Sequence, residues 1–254
     1  MFKYPLTAVA TGDAYPAEKS ALCVHRMALA ALNRVSNLPP MHGAMVAPAP
    51  EGFLQLATTL QPRSTCETDP SFLQLLPYVT IRREDTDQYF VYCRGKGGAE
   101  ERLHGNLSIG VGGHVDTRIT QCAALGLAPG VALTDHLVES ATRELQEEVG
   151  YIAVKGDTLV YEDKLLYDDT NAVGQVHLGL LMHLDIADYS MIGDSEHGVI
   201  EGSQWLDLED LRKPEVYDRL ENWSKLAVDR LYAREVYSIV DASSSTTTAQ
   251  TTEA

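Results

Sequence analysis

The chain predicts an α/β fold, a mixed sheet covered by helices, and three observations carry that expectation. From Leu75 onward, segments rich in β-branched and aromatic residues follow one another: LPYVTIRR, DQYFVYCRG and NLSIGVGG. One strong helical period then covers Asp135 to Val149, with two more strand-like stretches, DTLVYEDKLLY and VGQVHLGLLMHLDI, behind it. An amphipathic helix from about Pro214 to Tyr232 completes an order of strands, helix, strands, helix, with hairpins early on.

Residues 1–70 read as a helical and irregular N-terminal segment. Ala17 to Leu38, rich in Ala, Leu and Met, reads as a helix ended by Pro39-Pro40. A loop with several prolines and glycines leads to a short helical piece around FLQLATTL. LPYVTIRR and DQYFVYCRG are joined by the charged turn EDT, which makes them a hairpin. The glycine-rich loop GKGGAEERLHG then leads to NLSIGVGG, where Leu107, Ile109 and Val111 alternate with small residues, as one buried face demands. In the helix, Val138, Ala141, Leu145 and Val149 form an apolar stripe; Thr134 or Asp135 can cap it, and Gly150 stops it. On VGQVHLGLLMHLD the even positions Val176, Leu178, Leu180, Met182 and Leu184 are apolar. The odd positions carry Gln175, His177, His183 and Asp185, so one face is expected to be core and the other polar. The terminal ASSSTTTAQTTEA is small and polar and is expected to be disordered, leaving residues 71–240 as the main domain and 241–254 as a tail.

A chain of 254 residues with 44% apolar and 22% charged side chains suits one fairly large domain with a substantial core. The net charge of -16 argues against an extended nucleic acid or an anionic membrane as partner. It leaves room for a single nucleotide held through a cation, which reverses the local field. Cys23, Cys66, Cys93 and Cys122 are scattered without metal-binding spacing and read as reduced thiols. No apolar run reaches the ~18 residues of a membrane span. MFKYPLTAVATGDAYP is broken too early for a signal peptide, so the cytoplasm is the expected location.

The chemistry concentrates in RELQEEVGY, Arg143 to Tyr151. A helix turns ~100° per residue, which gathers Glu144, Glu147 and Glu148 into one narrow arc, where like charges repel. A hard divalent cation such as Mg²⁺ or Mn²⁺ resolves the repulsion, since it prefers several carboxylate oxygens at once. Arg143, four residues before Glu147, can hold one carboxylate by a bidentate pair. A solvated acidic face is the alternative that these residues alone leave open.

RELQEEVGY resembles the core of the Nudix box, with every fixed position of that half present. Counting back from Arg143, the upstream glutamate of the box falls at Asp135 and its glycine at Pro129, with Gly130 beside it. The Gly-Gly pair of VGGHVD, ending at Gly113, matches the family better, which implies an insertion of roughly TRITQCAALGLAPGVA in the loop 117–134. LLPYV, RGKGG with RLHG, GVGGHVD and VGQVHLGL are further similar to a Nudix subgroup described as predicted phosphoesterases, over about Leu75 to Tyr232.

The resemblance implies a Nudix-type α/β/α sandwich and Mg²⁺- or Mn²⁺-dependent hydrolysis of a pyrophosphate linkage in a nucleoside diphosphate joined to another group. It assigns the metal to Glu144, Glu147 and Glu148, with the Gly112 or Gly113 carbonyl completing the coordination. Arg143 orients a glutamate, and Glu144 is the first candidate to activate the water. Some relatives take the base from a late loop, where Glu196 and Glu201 are the candidates here. Arg82, Arg94, Lys96 and Arg102 flank the glycine-rich loop as candidate phosphate binders. Gln175 and His177 are candidates for base or phosphate, and His114 for a helper hydrogen bond beside the metal loop. A non-catalytic Nudix domain that senses a nucleotide is the alternative, disfavoured by the retained glutamates. An isopentenyl diphosphate isomerase is disfavoured because Val111, Gly112 and Gly113, not a cysteine, precede His114. The N-terminal helix offers a surface for a homodimer.

Overall fold

The computed structural model describes residues 2–5, 20–55, 58–97, 103–115, 133–152, 157–187, 192 and 200–248. Its centre is two long strands, β5 (Phe72–Arg83) and β10 (His177–Ile186), which run parallel from His177 opposite Gln74 to Ile186 opposite Arg83. β9 (Thr158–Asp168) lies antiparallel on the other side of β10. The opposite edge of β5 is shared in turn by three shorter strands. β2 (Ser20–His25) takes its first residues, β8 (Gly110–Gly112) its middle, and β6 (Tyr89–Arg94) its end. β4 (Thr58–Pro62) extends β2, while β7 (Leu107–Ser108) and β11 (Ile200–Leu206) flank β6. β1 (Phe2–Pro5) and β3 (Ala44–Pro48) occupy the two ends of β9.

Alternation along the central strands supplies two cores. Val79, Leu180, Met182 and Leu184 face α3 (Leu133–Val149), whose stripe of Leu137, Ala141, Leu145 and Val149 is buried against them. Tyr78, Leu166 and Leu181 face α6 (Asn222–Thr248), which buries Ala227, Val228 and Leu231. The result is a mixed sheet between helices, the α/β/α sandwich. Gly179 belongs to this second face, because a side chain there would run into Trp223.

Three elements differ from the sequence reading. Among its described residues the N-terminal segment is not chiefly helical: β2, β3 and β4 are strands of the main sheet, and only α1 (Arg26–Val35) and the short α2 (Arg63–Cys66) are α-helical there. Strands of five or six residues leave no period over a window of about 11–18 residues, and the Ala and Leu of this stretch imitate a helix. The second face of β10 is polar only in part, since Leu181, 1% exposed, joins the core under α6 and His177 is buried at 2%. A short α4 (Leu208–Leu211) and α5 (Pro214–Tyr217) precede α6, which starts at Asn222 and runs to Thr248 rather than stopping near Tyr232. The inserted loop up to residue 132 and the last six residues lie outside the described residues.

Cys23 and Cys66 are free thiols with their sulfurs 3.1 Å apart, buried where α2 covers β2. Burial, and then the neighbouring sulfur, push the Cys23 thiol far above its usual range.

Candidate active site

α3 carries the acidic set, and its ends fix where the set points. The helix begins at Leu133, so Thr134 and Asp135 lie inside it. At the other end Gly150 takes a positive φ of 69°, with Gly150 N donating to Gln146 O and Tyr151 N to Leu145 O. The buried stripe holds α3 against the sheet, and the next face along brings Arg143 and Glu144 to the loop that follows β8, with Glu147 beside Arg143.

Arg143 organises this face. Its Nη1 donates to Glu147 Oε2 at 2.7 Å, and its Nη2 lies 2.7 Å from Glu144 Oε1. Nη2 also donates to the carbonyl of His114 at 3.1 Å, tying the helix to the loop. Glu144 reaches that loop itself: a Cβ on Gly113 would stand 2.0 Å from its carboxylate oxygen. Only glycine leaves room for the carboxylate there. Gly112 is constrained differently, because its Cβ would meet the backbone carbonyl of Pro77 at 2.6 Å.

These residues fit a hard cation. The donors are carboxylate and carbonyl oxygens, and the cradle at Gly113 is open only because that residue has no side chain. Glu148 turns inward, close enough to raise the pKa of Tyr92 and Arg94.

Beside this face lies a second cluster. Nε2 of His114 and Nε2 of His177 are 3.1 Å apart, and Glu67 Oε1 lies 4.0 and 3.9 Å from them. His177 Nδ1 donates to the Val173 carbonyl at 2.7 Å, and Gln74 Nε2 stands 3.2 Å from His177 Nε2. The start of β10 places His177, the end of β8 places His114, and the residue after α2 supplies Glu67.

The other residues expected at the site are dispersed. Arg82 donates to Asp185 at 2.8 Å and to Asp87 at 3.0 Å. Arg94 Nε lies 3.3 Å from Glu221 Oε2 in a buried network with Tyr78, Ser108 and Ser224. Burial pulls the Arg94 pKa down, but Glu221, Tyr92 and Glu148 outweigh it and hold the guanidinium charged. Lys96 is exposed in the turn after β6. The Gln175 side chain donates to the Asp169 carbonyl at 3.1 Å, and the main-chain carbonyl of Gln175 accepts from Arg26. Glu201 is exposed at the irregular pairing between Ile200 and Ser203 on β11. Arg102 and Glu196 lie outside the described residues. Sequence reasoning missed Glu67 and Gln74. Neither belongs to a local motif, and only the pairing of β5 with β2 and β10 brings them to the histidines.

Protein YmaB of Bacillus subtilis (strain 168) is 36% identical to this chain over 169 residues, 66% of this chain and 76% of the relative. The crystal structure of Tm1382, a candidate Nudix hydrolase, shares the fold with a TM-score of 0.55. That likeness covers 84% of this chain and 97% of Tm1382 at 22% identity. The NUDIX domain of Shewanella oneidensis NrtR, complexed with ADP ribose, superposes with a TM-score of 0.41 at 13% identity, over 64% of this chain and 88% of that one. No family profile matches the chain.

Proposed function

We propose that this chain, which belongs to one family with protein YmaB and shares the fold of Tm1382, is a Nudix enzyme, a Mg²⁺-dependent hydrolase of a pyrophosphate linkage in a nucleoside diphosphate joined to another group. The observation that carries the proposal is the fit of the Glu144 carboxylate against Gly113, with Arg143 holding both Glu144 and Glu147. Glu144, Glu147, Glu148 and the Gly112 or Gly113 carbonyl are the residues that would hold the cation. A cation in such a set neutralises the diphosphate and acidifies a bound water.

The chain's own residues then divide the work. Arg143 fixes two carboxylates and the His114 carbonyl in one geometry, so the acids need no reordering when substrate arrives. Glu144 takes the proton of the attacking water. The water oxygen forms a bond to one phosphorus in line, and the bridging oxygen leaves with the other phosphate. Glu201 is a weaker candidate for the base, because its side chain is exposed on β11.

The purified chain with Mg²⁺ should release mononucleotide or phosphate products from one member of a panel. The panel comprises ADP-ribose, dinucleoside polyphosphates, NADH, nucleoside triphosphates and nucleotide second messengers. Glu148→Gln should lower turnover at least about tenfold. Unchanged turnover in that variant overturns the cation assignment. Tight nucleotide binding with no turnover across the panel overturns the enzyme in favour of a nucleotide sensor.

A further inference from the structure

We propose that Glu67, His114 and His177 form a second cation site, for a borderline transition-metal dication such as Zn²⁺, distinct in donor chemistry from the carboxylate set of α3. The three ligand atoms, one from each side chain, lie within 4.8 Å of one another. Two imidazole nitrogens bound to one ion at about 2.0–2.1 Å stand roughly 2.9–3.4 Å apart, for octahedral to tetrahedral angles. The observed separation of 3.1 Å falls inside that range. Glu67 Oε1, at 3.9 and 4.0 Å from the two nitrogens, also accepts from Arg63 Nε at 3.3 Å, and a small side-chain rotation that leaves one oxygen on Arg63 would bring the other to the same point.

The surroundings favour an ion over a plain hydrogen bond between the histidines. His177 Nδ1 faces the Val173 carbonyl at 2.7 Å, so that nitrogen carries the proton and the lone pair of the neutral ring is at Nε2. Around that single lone pair stand both the Gln74 amide nitrogen, at 3.2 Å, and His114 Nε2. Gln74 is fully buried, and its Oε1 finds no hydrogen-bond partner among the described residues. With an ion present, both imidazoles point lone pairs at it. Half a turn of the Gln74 amide then brings Oε1 to the site, so the buried oxygen gains a partner.

Imidazole nitrogens favour zinc-like ions strongly over Mg²⁺, whereas the oxygen set on α3 suits the abundant Mg²⁺. Two histidines and one glutamate, with Gln74 Oε1 able to take the fourth position, suit a four-coordinate ion. The two sites adjoin through one residue: the His114 ring belongs to the new site, and its carbonyl accepts from Arg143. An ion here would also join α2, the end of β8 and the start of β10, fixing the N-terminal segment to the loop of the acidic site.

The test uses the full chain, stripped with a chelator and titrated with Zn²⁺, then with Co²⁺ as a visible probe, in excess Mg²⁺. We expect one Zn²⁺ per chain and a Co²⁺ spectrum of low coordination number. His114→Gln and Glu67→Gln should each weaken Zn²⁺ binding at least about tenfold. Glu148→Gln should keep Zn²⁺ binding unchanged even where it abolishes hydrolysis, which separates this proposal from the hydrolase reading. His177 is buried, so a variant there can fail by unfolding; the two partly exposed ligands decide the matter. No retained Zn²⁺, or affinity indifferent to both His114→Gln and Glu67→Gln, overturns the proposal. So does Zn²⁺ lost only with Glu148→Gln, which would place the ion among the α3 carboxylates.

Discussion

At the scale of single residues, two neighbouring glycines do different jobs, and alanine at each separates them. A Cβ at Gly113 meets the far end of the flexible Glu144 side chain, which can swing away while the fold survives. We expect Gly113→Ala to keep its melting temperature within a few degrees of the native value and to lose turnover at least about tenfold. A Cβ at Gly112 meets the main-chain oxygen of Pro77 inside the sheet, which cannot swing. Gly112→Ala should therefore destabilise by about 1–3 kcal/mol, measured by denaturant unfolding. Equal stability losses in the two variants would refute this division. The order RELQEEVGY made the acidic set legible because a helix fixes spacing locally. Arg94 was not legible in the same way. A basic residue beside a glycine-rich loop suggests phosphate, yet its partner Glu221 lies 127 residues further on. No local pattern announces a pairing that the fold creates.

At the scale of elements, Glu162 on β9 ties the sheet to α6. Its carboxylate lies 3.2 Å from His183 Nδ1 on β10 and accepts from Arg234 Nη1 at 2.7 Å, with Arg230 at 3.9 Å. Burial pushes the Glu162 pKa up, but His183, Arg234 and Arg230 outweigh it and hold it below its ordinary 4.5. A depressed folded-state pKa contributes stability above the unfolded value and loses it as pH falls through the folded one. Thermal melts should therefore show Glu162→Gln less stable than the native chain at neutral pH. The gap should close as pH drops below 4.5, and a pH-independent gap would show that the carboxylate's charge is not what matters. The element containing the acids was readable because seventeen residues of one period outweigh any local ambiguity. β2, β3 and β4 were not, since each is short and gains its identity from the strand beside it.

At the scale of the whole molecule, the sequence conveyed the fold class but not who pairs with whom. β-rich stretches on either side of one strong helix suffice for a mixed sheet between helices. Which strands lie at its centre depends on pairings that skip most of the chain, and the cluster of Glu67, His114 and His177 exists only through them. A chain cut after Thr170 lacks β10 and leaves β9 and β5 with no strand between them. We expect that fragment to show no cooperative thermal transition by circular dichroism, and a native-like transition would refute the central role of β10. The same pairing shapes how the chain folds. Gln74 and His177 are partners across 103 residues, so the middle of the sheet waits on a long loop closure. Folding on the millisecond-to-second scale of non-local topologies follows, in place of the faster collapse of helical bundles. During synthesis β5 emerges long before its parallel neighbour. For that interval one edge of this long, largely buried strand stands open, a site where a nascent chain is most exposed to mispairing or to capture by a chaperone.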